Sequence, residues 1–180
     1  MALVLGYPIA IYAALAWFEP RVIAAALLAF LLLRWRGRAG SLVQGFSWTS
    51  RVIIVGMLLL CLAALLANDE VLVRLYPATV SAALLMVFAL SLAYPPPLVE
   101  RLARLQHPDL PAEAVPYTRT VTVIWCVFFA LNAAVSAWTA AYASREVWAV
   151  YNGFLAYIAM GTLFGVEWLY RRWHFPHART

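Results

Sequence analysis

Residues 121–143 read VTVIWCVFFALNAAVSAWTAAYA, a run without one charged side chain. About 20 largely apolar residues in a helix cross the hydrocarbon of a bilayer, so this stretch alone predicts a transmembrane helix. Outward from it the pattern repeats. Apolar segments cover residues 46–67 and 71–94 before it and 147–170 after it, and the central one extends over 119–143. Two weaker segments open the chain: 2–18, interrupted by Gly6 and Pro8, and 22–36, which closes on Arg34, Trp35 and Arg36. Arginines at that end lengthen a short span by reaching back to the headgroups. Segment 2–18 lacks the basic start and small-residue cleavage site of a secretory signal. It is expected to be retained as a first helix, either spanning or half-inserted.

The composition agrees with this reading. Of 180 residues, 66% are hydrophobic and 12% charged, and the mean hydropathy is +0.83. Soluble domains are about 45–50% apolar and about 25% charged. The expected fold is therefore an all-α integral membrane protein forming a single transmembrane domain over 1–180, with five to six spans. The net charge of +5 comes from 13 basic residues, all of them Arg. They fall in clusters between apolar runs, unlike the continuous basic face of a nucleic-acid binder, so no nucleic-acid partner is expected. Cys61 and Cys126 lie inside apolar runs as small hydrophobes. No cofactor and no metal site is expected.

The arginines also set the orientation. Arg34, Arg36, Arg38 and Arg51 follow the second segment, Arg101, Arg104 and Arg119 the fourth, and Arg171, Arg172 and Arg179 the sixth. The other connections hold Arg21, Arg74 and Arg145. Positive loops stay cytoplasmic, which places the C-terminus on the cytoplasmic side. Trp17, Trp138 and Trp148 then mark the outer interface, and Trp35, Trp48, Trp168 and Trp173 the inner one. Trp125 lies deeper and is expected to face protein.

The outer turns resemble one another, each pairing acids with one Arg: Glu19 with Arg21, Asp69 and Glu70 with Arg74, Arg145 with Glu146. Three serial helical hairpins follow from this. The acids are read in two ways, as an outer docking rim or as residues occupying the first helical turn, where the macrodipole favours them.

The long connection, 95–117, opens with three prolines that stop a helix. Leu98, Leu102 and Leu105 then recur at helical spacing beside Glu100, Arg101 and Arg104. This predicts a short cytoplasmic amphipathic helix in the headgroup plane. His107 and Asp109, separated by Pro108, read as a solvated turn.

Within the membrane, Thr118, Thr122, Trp125, Phe129, Asn132, Ser136 and Thr139 recur every three or four positions and share one helix face. Gly161 and Gly165, with Gly153 and Ala156, form a small-residue surface on the last segment. The stripe serves helix packing or, with Tyr157, lines a crevice for a lipid or acyl chain. Expected partners are membrane lipids and other membrane proteins, and the glycine pair also offers a surface for a homo-oligomer. Glu167 and Arg171 form a helix-stabilising pair. His174 and His177 in the tail lack companions for a metal. The spans carry no acid–base or nucleophile set, so no catalytic residue is assigned.

Asn68-Asp69-Glu70, then Pro97, Leu98, Arg101 and Leu110-Pro111, then Trp125-x-x-Phe128-Phe129 and Trp148-x-x-Tyr151 stand in an order that resembles the intracellular septation protein A family of small bacterial inner-membrane proteins. The likeness covers about Tyr7 to Arg172. The chain departs from that family at Tyr151-Asn152, where Phe-Lys is usual, and at Asn132, which stands earlier than the family's intramembrane Asn. It also resembles membrane proteins encoded beside aryl-polyene and fatty-acid-like synthesis enzymes. The first resemblance implies a non-enzymatic role in envelope maintenance and septation through protein contacts. The second implies an accessory that binds or moves an acyl-chain lipid or polyene. A membrane enzyme is the remote third reading.

Overall fold

The structure is a computed structural model that describes residues 17–36, 48–106 and 110–174. Nearly all of segment 2–18, Arg38, the His107–Asp109 turn, His177 and Arg179 lie outside the described residues. Among the described residues every regular element is helical. In chain order these are α1 (Pro20–Arg36), α2 (Trp48–Ala67), α3 (Glu70–Arg74), α4 (Tyr76–Ala93), α5 (Leu98–Gln106), α6 (Ala114–Tyr142), α7 (Arg145–Val150) and α8 (Ala156–His174), with a π turn, Tyr151–Leu155, joining the last two. Among the described residues three helices are long and apolar enough to cross a membrane: Tyr76–Ala93, Ala114–Tyr142 and the continuous run Arg145–His174.

Local chemistry sets the joints. Asn68 adopts a φ of 49°, the left-handed geometry that asparagine tolerates beyond a helix end. Asp69 then accepts from the Val71 N–H at 2.8 Å and opens α3. The apolar run 71–94 is broken between α3 and α4, because Pro77 has no N–H to return to the preceding turn. At the other end of α4, Ser91 Oγ donates to the Phe88 carbonyl and accepts from the Leu98 N–H at 2.8 Å. Arg101 adds bonds to the carbonyls of Tyr94 and Pro96 at 2.8 and 2.7 Å. The central helix begins at Ala114, earlier than hydropathy suggests, since Pro116 in its first turn costs no intrahelical bond. Ser144 caps α7 through the Val147 N–H.

Two apolar clusters position the rest. At the end that carries the turns before α3 and α7, Ile23 and Ala24 of α1, Ala64 of α2, Val73 of α3, Ala140 of α6 and Trp148 of α7 form one core. Toward the other end, Val121, Trp125 and Phe129 pack against Leu85 and Phe88 of α4, Val99 of α5 and Met160 and Leu163 of α8. The Phe88 and Phe129 rings meet at 5.2 Å and those of Trp125 and Phe164 at 4.5 Å. Tilted and edge-on aromatic pairs of this kind add to area burial.

Candidate functional site

The polar stripe of α6 is the natural place to look for function, because polar side chains inside a bilayer need partners. All seven of its residues are buried. Asn132 uses both ends of its amide: Nδ2 donates to Ser81 Oγ of α4 at 2.8 Å, and Oδ1 accepts from the Tyr151 hydroxyl at 2.9 Å. One turn further out, Ser136 Oγ donates to Asn152 Oδ1 at 2.7 Å. The Asn152 amide returns bonds to Thr139 Oγ1 at 3.3 Å and to the Trp148 carbonyl at 3.0 Å. Thr122 and Thr118 bond back to carbonyls of their own helix, as hydroxyls in helices do. The result is a polar seam tying α4, α6 and the π turn together.

The π turn is what sets Asn152 in place. One extra residue in the turn advances the register. Trp148, Asn152 and Ala156 are all buried, each four residues from the next. Periodicity points to Asn132, Ser136 and Thr139 but not to their partners: Ser81 has no pattern of its own, and Tyr151 and Asn152 stand out in the sequence only through the resemblance.

Above the seam sits a clamp centred on Arg74. The sequence reads it as an outer-turn charge, yet it is only 7% exposed. Its Nη2 donates to the carbonyls of Thr139 and Ala143, both at 2.7 Å, and of Ser144 at 3.2 Å. The Thr139 and Ser144 carbonyls also accept from the Ala143 and Trp148 N–H groups at 3.2 and 3.0 Å, so the guanidinium adds a second donor at the end of α6, where a cation also suits the macrodipole. The guanidinium lies 5.7 Å from the centre of the Trp148 ring, and the Trp148 indole N–H donates to the Arg74 carbonyl at 3.0 Å. Trp148 is therefore a correction to the outer aromatic belt: it is 0% exposed, because its indole donor is satisfied inside the fold. Burial lowers the Arg74 pKa and neighbouring Glu70 opposes the shift, and the group remains a cation. Its Nε is buried without a hydrogen-bond partner among the described residues.

Glu70 completes the clamp. Its carboxylate takes both the Nε and Nη2 of Arg145, at 2.8 and 2.6 Å, and approaches Arg74 Nη1 at 3.7 Å. A forked Arg–carboxylate pair has defined geometry as well as attraction. Glu70 and Glu146 stand in the first turns of α3 and α7, Asp69 caps α3, and Glu19 precedes α1.

The remaining candidates are placed apart. Tyr157 is half-buried in the first turn of α8. Gly161 and Gly165 are exposed, and a Cβ built on either meets no atom within 4 Å, so they pack against no helix among the described residues. At the far end of α8 the Tyr117 hydroxyl donates to Glu167 at 3.0 Å, and Arg171 stands 3.8 Å from the same carboxylate.

Among the described residues no three His, Cys, Asp or Glu side chains come together as a metal cluster. The seam and the clamp together join α3, α4, α6 and α7 in one register. Comparison with known protein families, curated proteins and solved structures finds no match for the chain.

Proposed function

We propose that the chain is a non-enzymatic protein of the bacterial inner membrane, crossing it five or six times as serial hairpins with its C-terminus in the cytoplasm. In this reading it supports envelope maintenance and septation by holding other membrane proteins through helix contacts. The supporting observation is the contrast between its two polar and small-residue surfaces. Asn132, Ser136 and Thr139 of the α6 stripe are bonded to Ser81, Tyr151 and Asn152, whereas among the described residues nothing approaches the Gly161 and Gly165 face of α8. Small residues allow close helix approach in lipid, and Phe164 and Trp168 beside them are half exposed or more.

Photo-crosslinking in cells tests this reading. A photoreactive residue replacing Phe164 is expected to capture discrete membrane-protein partners, and one replacing buried Thr122 is expected to capture none. Capture of lipid or polyene alone at Phe164 would overturn the reading in favour of an acyl-chain handler. A reporter fused after Thr180 that is active only outside the cytoplasm would overturn the orientation.

A further inference from the structure

Helix α5 is amphipathic, and its greasy side points the wrong way for a soluble loop. Val99 packs into the Val121–Trp125–Phe129 cluster and Glu100 is 5% exposed, held by Arg104 at 2.8 Å. Leu102 and Leu105, in contrast, are 51% and 81% exposed. At about 100° per residue, Leu98, Leu102 and Leu105 share a stripe with Val99 and Ala103 on one flank, Arg101 on the other, and buried Glu100 opposite. The helix is also held firmly. Leu98 N–H bonds to Ser91 near the end of α4, and Arg101 bonds the carbonyls of Tyr94 and Pro96. Those partners are neutral carbonyls, so the positive charge of Arg101 is not cancelled by them. Arg119, Arg171 and Arg172 stand exposed at the same end of the bundle.

We propose that α5 is a built-in membrane anchor: Leu98, Leu102 and Leu105 enter the acyl boundary of the adjoining leaflet while Arg101 meets anionic lipid headgroups. The occupant follows from continuity and charge. Val99 sets the start of α5 against the flank of a membrane-length helix, so the outward leucines extend the lipid-facing surface of α6. Basic side chains at that level are drawn to an anionic leaflet. An interfacial helix of this type needs an apolar face and basic flanks, and α5 has both, already oriented by the bonds to α4.

The inference rests on α6 crossing the bilayer, and the experiment separates the two. Single cysteines at Leu105, Ala112 and Leu131, in a full chain carrying Cys61→Ser and Cys126→Ser, are labelled with a fluorophore. The protein is reconstituted in vesicles of phosphatidylcholine with phosphatidylglycerol. Brominated lipid is expected to quench the Leu105 label severalfold more than the Ala112 label, with aqueous iodide showing the reverse order. Replacing phosphatidylglycerol by phosphatidylcholine is expected to raise iodide access at Leu105 severalfold. A Leu105 label as open to iodide as Ala112, or shielded from both quenchers by a protein partner or second copy, overturns the anchor. Unchanged quenching without phosphatidylglycerol overturns its preference for anionic lipid. The Leu131 label, on the exposed mid-face of α6, reports the span independently: if it too escapes lipid quenching, the spanning reading has failed.

Discussion

Arg74 and Trp148 hold each other by opposite ends: the indole N–H donates to the Arg74 carbonyl at 3.0 Å, and the Arg74 guanidinium lies beside the indole ring. Because the same guanidinium takes the carbonyls of Thr139 in α6 and of Ala143 and Ser144 just beyond it, one side chain joins α3, α6 and α7. Arg74→Ala is therefore expected to cost about 3 kcal/mol, the scale of hydrogen bonds to a charged donor. Arg74→Lys keeps the charge without the planar fork and should recover only part of that loss. Thermal unfolding in mild detergent measures both, and an unchanged midpoint in Arg74→Ala would remove the clamp.

Trp148 separates volume from hydrogen bonding. Trp148→Phe is expected to lose about 1 kcal/mol, the net worth of one bond, and Trp148→Ala about 3–5 kcal/mol from the cavity left behind. Equal losses in the two variants would mean that the indole donor, not packing, fixes this residue.

The seam invites a double-mutant cycle. Ser81→Ala and Asn132→Leu, singly and together, should give a coupling of about 0.6 kcal/mol, typical of interhelical bonds in a membrane. Additive losses would show that Ser81 and Asn132 do not interact.

Much of this was legible in advance and some was not. Runs such as 71–94 and 119–143 announce themselves by hydropathy, though not the break before Tyr76 or the start at Ala114; the α6 stripe announces itself by its spacing, because both are properties of one helix. The partners of the stripe are properties of the assembled bundle. Arg74 reads in sequence as any loop arginine; its burial depends on carbonyls 65 to 70 residues later being delivered to it. Asn152 depends on the π turn, which no local pattern signals. Gly161 and Gly165 illustrate the converse: their spacing suggests close packing, yet within the described chain nothing approaches them.

The Glu70–Arg145 bridge is partly exposed and should behave accordingly. Glu70→Gln is expected to cost less than about 1 kcal/mol, with most of the difference gone in high salt. The swap Glu70→Arg with Arg145→Glu should restore only part of the loss, since it sets a second cation beside Arg74. A large, salt-independent loss in Glu70→Gln would assign the carboxylate chiefly to Arg74 instead.

Gly161→Leu together with Gly165→Leu should leave the unfolding midpoint unchanged or slightly raised, since helical glycine is itself unfavourable by about 0.5–1 kcal/mol. Crosslinks captured from Phe164 in cells should disappear. Crosslinks that persist would show that partners use another face.

The surplus residue in Tyr151–Leu155 divides the final rod into two parts with separate phases. Everything upstream is keyed to Trp148 and Asn152, while everything downstream takes its azimuth from that single irregularity. Deleting one residue there would swing the distal half by about 100°, carrying Phe164 away from Trp125 and presenting a different flank to the surroundings. A lineage could thus redirect its outward contacts through one codon's loss, leaving the upstream fastening untouched.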